Sequence, residues 1–466
     1  MRMSTDEVSG APVSGVEDVL PATTVVDADA ASSGSRARSI LRWLARGTWA
    51  VADQGLFAAS NFILNIGLAR SLAPREYGAF TLGYTIFLLF STGHTALLTE
   101  PMLVFGAGRY RAQTPDYIGA VLHGHWVLTT LAGLLLLAGG GIAAVVGGEH
   151  TLAATLIALA FACPLILFQW LMRRACYVHL RPRLAAQAGT WYVVLLLGGG
   201  YLLYRQQALT SATAIALMAA GSLGSAIWIV VRLRVPVHPK SGARALYRDA
   251  VREHWQYGRW VIGSGVFSWI PQGIYYLLLP LRGGLESTAA LKALMNLTMP
   301  VLHAYLPLAT LMVPALVRTR GHASFWRTVW LALLFSVLAS LVYWLLLGLA
   351  NRPLVALLYG GQYLQDAHLL WLLGLIPITG AGVGVMGSTL RALERPDRIF
   401  WAYVLSSAIS LTVGLGLMLL IGLPGAAAGI VLSSLTTAVV MSWSVWRHDR
   451  RREPANTNRS PHVEAH

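Results

Sequence analysis

Two polar stripes stand out in an otherwise apolar chain. Between Trp49 and Leu72 (WAVADQGLFAASNFILNIGLARSL), a stretch of membrane-crossing length carries Asp53, Gln54, Ser60, Asn61 and Asn65 and ends on Arg70. At about 100° per residue those five share an arc of roughly 140°. Hydrocarbon offers no hydrogen-bond partners, so that face must meet a wet interior or neighbouring helices. Both uses are open: Asp53 and Gln54 can line a cavity or cap its entrance, and the asparagines can bind a solute or another helix. A second stripe runs through Lys292, Asn296, His303 and Thr310. On one helix these fall within about 40° of each other. An ammonium inside a bilayer is costly, so Lys292 faces water or a partner, or snorkels to the interface from its place near the helix start.

Milder stripes accompany them. Thr81, Thr85, Thr92, Thr95 and Thr99, with Tyr84, follow the first; Ser264, Ser268, Gln272 and Tyr275 precede the second. Threonine also bonds its own helix backbone, so the threonine stripe need not serve a ligand. Asp53 and Glu100 are candidates for ion coupling or for counter-charges. His123 and His125 suggest metal ligation, but on a helix they point about 200° apart and no cysteine or carboxylate joins them; structural roles are expected. Cys163 and Cys176 form no ligand or disulfide pattern. There is no Walker phosphate loop, no enzyme motif, and no cofactor is expected.

The elements that position these residues are transmembrane helices. Of 466 residues 56% are hydrophobic and 12% charged, against about 25% charged in soluble domains. Twelve spans are predicted, near 48–69, 77–99, 117–147, 151–172, 184–204, 209–231, 257–280, 287–316, 327–349, 367–391, 399–421 and 424–446. Gly139–Gly141 should bend the end of the third, and Pro377 with GAGVGVMG should break or tighten the tenth. The fold class is therefore all-α and polytopic, in two six-helix lobes. Residues 39–232 form one lobe, a basic cytoplasmic linker occupies 233–256, and the second lobe spans 257–447. Residues 1–38 read as a disordered cytoplasmic tail without signal-peptide character, and 448–466 as a second cytoplasmic tail. Arginines 36, 38, 42 and 46 interleave with apolar residues as a short amphipathic helix on the inner leaflet.

Lysine plus arginine outnumber the acids 35 to 20. A nucleic-acid binder would gather that excess on a soluble surface, and none is available, so nucleic acid is excluded as a partner. Placing both termini and every second loop in the cytoplasm leaves only Arg70, Arg75, Arg205, Arg282, Lys292 and Arg352 on the other side. The halves also echo each other: Gly55-Leu-Phe57 by Gly265-Val-Phe267, and Arg181-Pro182 by Arg395-Pro396. Six spans per half give both halves the same orientation, related by a pseudo-two-fold axis along the membrane normal.

ADQGLFAASNFILNIGLARSLAPREYGAFTLGYTIFLL, from Ala52 to Leu89, together with Arg-Pro after the fourth and tenth spans, resembles bacterial polysaccharide-biosynthesis transporters. These are lipid-linked oligosaccharide flippases of the multidrug/oligosaccharidyl-lipid/polysaccharide (MOP) exporter superfamily. The resemblance implies a V-shaped pair of lobes around a cavity lined by spans one, two, seven and eight, in the bacterial inner membrane. It implies a non-enzymatic flippase for an undecaprenyl-diphosphate-linked oligosaccharide, working among membrane lipids and beside a polysaccharide polymerase or export machinery. The polar cavity candidates are then Asn61, Asn65, Gln272, Asn296 and His303. The cations Arg70, Arg259, Arg282 and Lys292 would meet the diphosphate. An ion-coupled multidrug or cation exporter of the same superfamily is the alternative, though it would want an acidic cavity. A membrane-embedded glycan polymerase or ligase is a further alternative, disfavoured by the short loops opposite the cytoplasm.

The topology is testable by thiol labelling. Gly148→Cys, Gln362→Cys and Gly422→Cys should label in intact cells, whereas Gly242→Cys and Asn456→Cys should be protected. Labelling of Gly242→Cys without permeabilisation would invert the orientation.

Overall fold

A computed structural model describes residues 48–49, 52–235, 244–320 and 322–450. The tail 1–38, the arginine-bearing segment 36–46, linker residues 236–243 and the tail beyond 450 lie outside the described residues. Every regular element among the described residues is helical. Helix α1 covers 52–71. It is followed by α2 (Pro74–Ala107), α3 (Thr114–Val145), α4 (His150–Val178), α5 (Pro182–Arg205) and α6 (Ser211–Leu233). The second half contains α7 (Arg244–Leu278), α8 (Pro280–Asn296), α9 (Met299–Arg318) and α10 (Ala323–Leu349). A short α11 (Asn351–Tyr359) precedes α12 (Leu364–Ala392), α13 (Pro396–Ile421) and α14 (Leu423–Arg450). Nine of the described helices have the length and apolar composition to cross a membrane. With α1, α7 and the α8–α9 pair they fill the places of the twelve expected crossings.

The first of these carries its polar stripe, Pro271 and Gln272 interrupt the apolar run of α7, and the eighth crossing is broken. Leu297 and Thr298 bond i−3 carbonyls, Leu294 and Met295, rather than i−4. Pro300, in the first turn of α9, cannot continue an incoming helix. A second bend sits at Gly283–Gly284, where Gly284 has φ +69. The continuous helix expected over 287–316 is therefore two, and Lys292 and Asn296 stand on a different axis from His303. Gly139–Gly141, expected to bend span three, lie within regular α3. There Gly140 allows α4 to approach, a Cβ at that position being 3.2 Å from the Ala153 carbonyl.

The halves repeat one turn. After α4, Leu180 takes φ 54, and after α12, Glu394 takes φ 60. Arg181 N then donates to Cys176 O at 2.8 Å and Arg395 N to Leu390 O at 2.9 Å. Both following helices begin on proline, which fits the first turn because its nitrogen needs no partner there. The Arg-Pro echo in the sequence is the trace of this shared helix stop and start.

In the first half α4 is central, with buried Leu159, Cys163, Leu167 and Leu171 packed among α2, α3 and α6. Helix α7 touches both halves. Gly258 brings it against the Ala96 carbonyl, 2.7 Å from where a Cβ would lie, and Gly265 meets Thr92. Toward its other end Pro271 cannot pair with the Phe267 carbonyl, and Ser407 Oγ of α13 donates to that oxygen at 2.6 Å. Tyr275 reaches Ser410 of α13, over Gly414 and Gly429. Helices α2 and α8 pack so closely that any Cβ on Gly78 would collide with the Leu285 carbonyl. Gly78→Val should thus cost about 1–3 kcal/mol of stability or separate the two helices. A fluorescence melting scan in detergent reads the loss, and an unchanged melting temperature would disprove the close packing.

Candidate functional site

Asp53 and Phe57 occupy i and i+4 on α1, and Arg173 and Tyr177 occupy i and i+4 on α4, so each pair shares a helix face. The faces meet. Arg173 Nη2 donates to Asp53 Oδ2 at 2.8 Å, and the Tyr177 hydroxyl donates to the same oxygen at 2.8 Å. The guanidinium carbon stands 4.3 Å from the Phe57 ring centroid. Asp53 is 1% and Arg173 8% exposed, so the pair is desolvated and the charges neutralise each other. Asp53 Oδ1 and Arg173 Nε have no further partner. By sequence Arg173 is one of the cytoplasmic-side cations that set the topology, with no pairing role assigned to it. The available signal was Gln169, one turn earlier on the same buried face.

Asn65 donates to the Asn61 carbonyl at 2.8 Å, and its Oδ1 accepts from Tyr77 at 3.4 Å. Asn296 Nδ2 donates to the Tyr77 oxygen at 2.9 Å. Tyr77 thereby ties α1 and α2 to α8, and it was not among the sequence candidates. Tyr359 donates to the Ala293 carbonyl at 2.7 Å. Farther out, Arg70 Nη1 donates to the Leu357 carbonyl on α11, and Gln362 Nε2 to the Arg70 carbonyl at 3.1 Å. At this end hydrogen bonds bridge the two halves. At the opposite end Arg109 and Tyr110 hold Glu253 of α7, Tyr110 at 3.0 Å. Burial, with Glu253 adding to it, pushes the Tyr110 phenol up to about 12, so it remains a donor.

The remaining candidates are dispersed. Lys292 is half-buried one turn before Asn296 and pairs with no carboxylate among the described residues. His303 is half-buried beyond the break, and the side chain of Thr310 lies outside what is described. Arg282 is exposed beside Gly422, and Arg259 is exposed with its guanidinium 5.5 Å from the Trp260 ring. Gln272 is exposed to a cavity of about 250 Å³ between α7, α9, α12, α13 and α14, where Tyr305, Ser434 and Thr437 also line the wall. Glu100 is half-buried and has no ion-pair partner among the described residues. Thus the arrangement gathers Asn61, Asn65 and Asn296 through Tyr77, with Lys292 beside them, and keeps Asp53 apart on Arg173.

The threonines are satisfied locally. Thr81 donates to Tyr77 O and Thr85 to Thr81 O, both at 2.8 Å. His125 pairs at 2.9 Å with His94, and His123 packs edge-on to Tyr247. Among the described residues no group of three or more His, Cys, Asp or Glu could hold a metal.

No protein-family model and no curated protein sequence matches this chain. Solved structures do. A multidrug resistance MATE family transporter in an inward-facing conformation superposes with TM-score 0.72 at 15% identity, covering 86% of this chain and 96% of that one. The chain has the fold of MOP-superfamily transporters. The lipid II flippase MurJ, in an inward closed conformation, matches with TM-score 0.67 at 10% identity over 87% of both chains. A MOP-superfamily transporter from Pyrococcus furiosus, described for the reversed polarity of its binding pocket, matches with TM-score 0.62 at 14% identity, over 87% and 95%.

The Asp53–Arg173 pair makes a stability prediction within this fold. Asp53→Asn strands a buried guanidinium and should cost about 3–5 kcal/mol. Asp53→Leu combined with Arg173→Met should recover most of that in the same melting assay. A single mutant as stable as the wild type would show that the pair is hydrated and open to ions.

Proposed function

We propose that this chain is an alternating-access flippase for an undecaprenyl-diphosphate-linked oligosaccharide, acting in polysaccharide biosynthesis in the bacterial inner membrane. Both termini are cytoplasmic in this reading, and residues 39–232 and 257–447 are the two moving lobes. The observation that carries it is the charge balance of the interior. Asp53, the acid of the first polar stripe, is cancelled by Arg173, whereas Lys292 stands beside Asn296 with no acid paired to it among the described residues. A half-buried, uncompensated cation favours an anionic ligand such as a diphosphate. The amides of Asn61 and Gln272, with His303, suit glycan hydroxyls, while Arg70, Arg259 and Arg282 offer cations along the path. Asn65 and Asn296 are engaged by Tyr77 in this conformation and join the glycan-facing amides only once that contact opens. The lipid-flipping neighbour of the same fold supports the substrate class. Glu100 is the better coupling candidate than Asp53, because its carboxylate is not held by an arginine. A polysaccharide polymerase or export complex would receive the product.

The multidrug or cation exporter is the second reading, favoured by the multidrug neighbour. A cation exporter needs a free acid in its cavity; with Asp53 neutralised by Arg173 that reading would have to rest on Glu100. Lys292→Gln separates the readings. One charge-assisted bond is worth about 1.5–3 kcal/mol, a roughly ten- to hundred-fold change in affinity. The variant should lose glycan export at normal expression and melting temperature, and Lys292→Arg should restore part of it. Normal export by Lys292→Gln, or efflux of a cationic dye by the wild type alone, would reject the flippase assignment of this site.

A further inference from the structure

The first turns of α7 carry two stripes, of which only Arg259 enters the transport path proposed above. At about 100° per residue, Tyr247, Ala250, Val251, His254 and Trp255 occupy one arc of roughly 140°, and Arg248, Arg252 and Arg259 lie within about 40° of each other beside it. The apolar arc faces Leu98 of α2 and Val121, Gly124 and Leu128 of α3 across a cavity of about 220 Å³. Its rim is exposed hydrocarbon: Trp255 is 56%, Val127 55% and Val251 50% exposed. In a membrane protein such a rim opens to lipid. A cavity this apolar gives water or a sugar few partners, since His254 is already engaged, so its natural occupant is a hydrocarbon chain.

The arginines specify what that chain belongs to. All three are exposed. Among the described residues Arg248 comes no closer to an acid than 3.8 Å, at Asp249, which points about 100° away along the helix wheel. Glu253 is already engaged by Arg109 and Tyr110. We propose that this cleft is a binding site for one anionic phospholipid, with its phosphate between Arg248 and Arg252 and one acyl chain in the cavity between α3 and α7. The site has a mechanical setting. Beside it His254 Nδ1 meets the Leu97 carbonyl at 2.7 Å and His254 Nε2 the Tyr117 hydroxyl at 2.6 Å, fastening α7 to the first half of the chain. A bound lipid chain would brace that junction and hold α7 in place.

The test uses full-length protein in detergent and native mass spectrometry. The probes are phosphatidylglycerol, phosphatidylcholine with the same acyl chains, and undecaprenyl phosphate. Wild type should retain one phosphatidylglycerol in preference to phosphatidylcholine. Each arginine near a membrane surface is worth about a fivefold change in binding, so Arg248→Gln with Arg252→Gln should remove most of the preference. These are exposed positions, and the variant should fold. Gly124→Leu fills the cavity and should reduce retention of both phospholipids. Equal retention of the two by wild type, or a preference unaffected by the double substitution, would overturn the proposal. Displacement of phosphatidylglycerol by equimolar undecaprenyl phosphate would also overturn it, by assigning the cleft to an isoprenoid lipid.

Discussion

A helix inside hydrocarbon must find every polar partner within the protein, and this constraint organises the whole molecule. Many of the described hydroxyls solve it alone, as Thr81, Thr85 and Thr389 do by bonding a carbonyl one turn back. Groups that cannot do so become the joints between helices. The Asp53 carboxylate needs Arg173 and Tyr177, the Asn65 and Asn296 amides need Tyr77, and the Phe267 carbonyl, orphaned by Pro271, needs Ser407. The architecture is held in register by these few obligatory pairs, while dispersion between apolar faces supplies the bulk attraction.

The same constraint separates what is structural from what is free. A polar group with all its partners provided can be read as a joint. Lys292 and Glu100 are not joints by that measure, and they carry opposite charge. The interior therefore holds a cancelled pair near the start of α1 and uncancelled single charges elsewhere. Geometry thus divides residues that composition alone treats alike.

Much of the architecture was legible in the chain. Apolar length set the crossings, and the Arg-Pro echo marked a turn whose backbone angles nearly coincide in the two halves. Positions within the site were harder to read, because a helical wheel gives direction only along an unbroken axis. The stripe from Lys292 to His303 assumed such an axis, and the i−3 bonds at Leu297 and Thr298 interrupt it. Pro300 was the visible warning. Arg173 was missed for a different reason: Arg173 and Arg174 are chemically identical in sequence, and only the phase of α4 decides which one turns inward. Tyr77 was missed because a lone tyrosine near a helix start gives no sign of a partner more than two hundred residues away.

Helix α7 has a consequence for how such a molecule can move. Two bodies joined by a slack loop swing independently, whereas two bodies clamped along one rod must share its deformation. The rod here is gripped by glycine contacts on one half and by Tyr275 on the other, and it has one weak point, at Pro271. Its missing intrahelical bond is replaced by Ser407, which belongs to the second half alone. Flexion at that proline would keep the distal segment with the second half while the proximal segment stays on the first. The joint would then act as an elbow at which Ser407 stands in for the lost intrahelical bond.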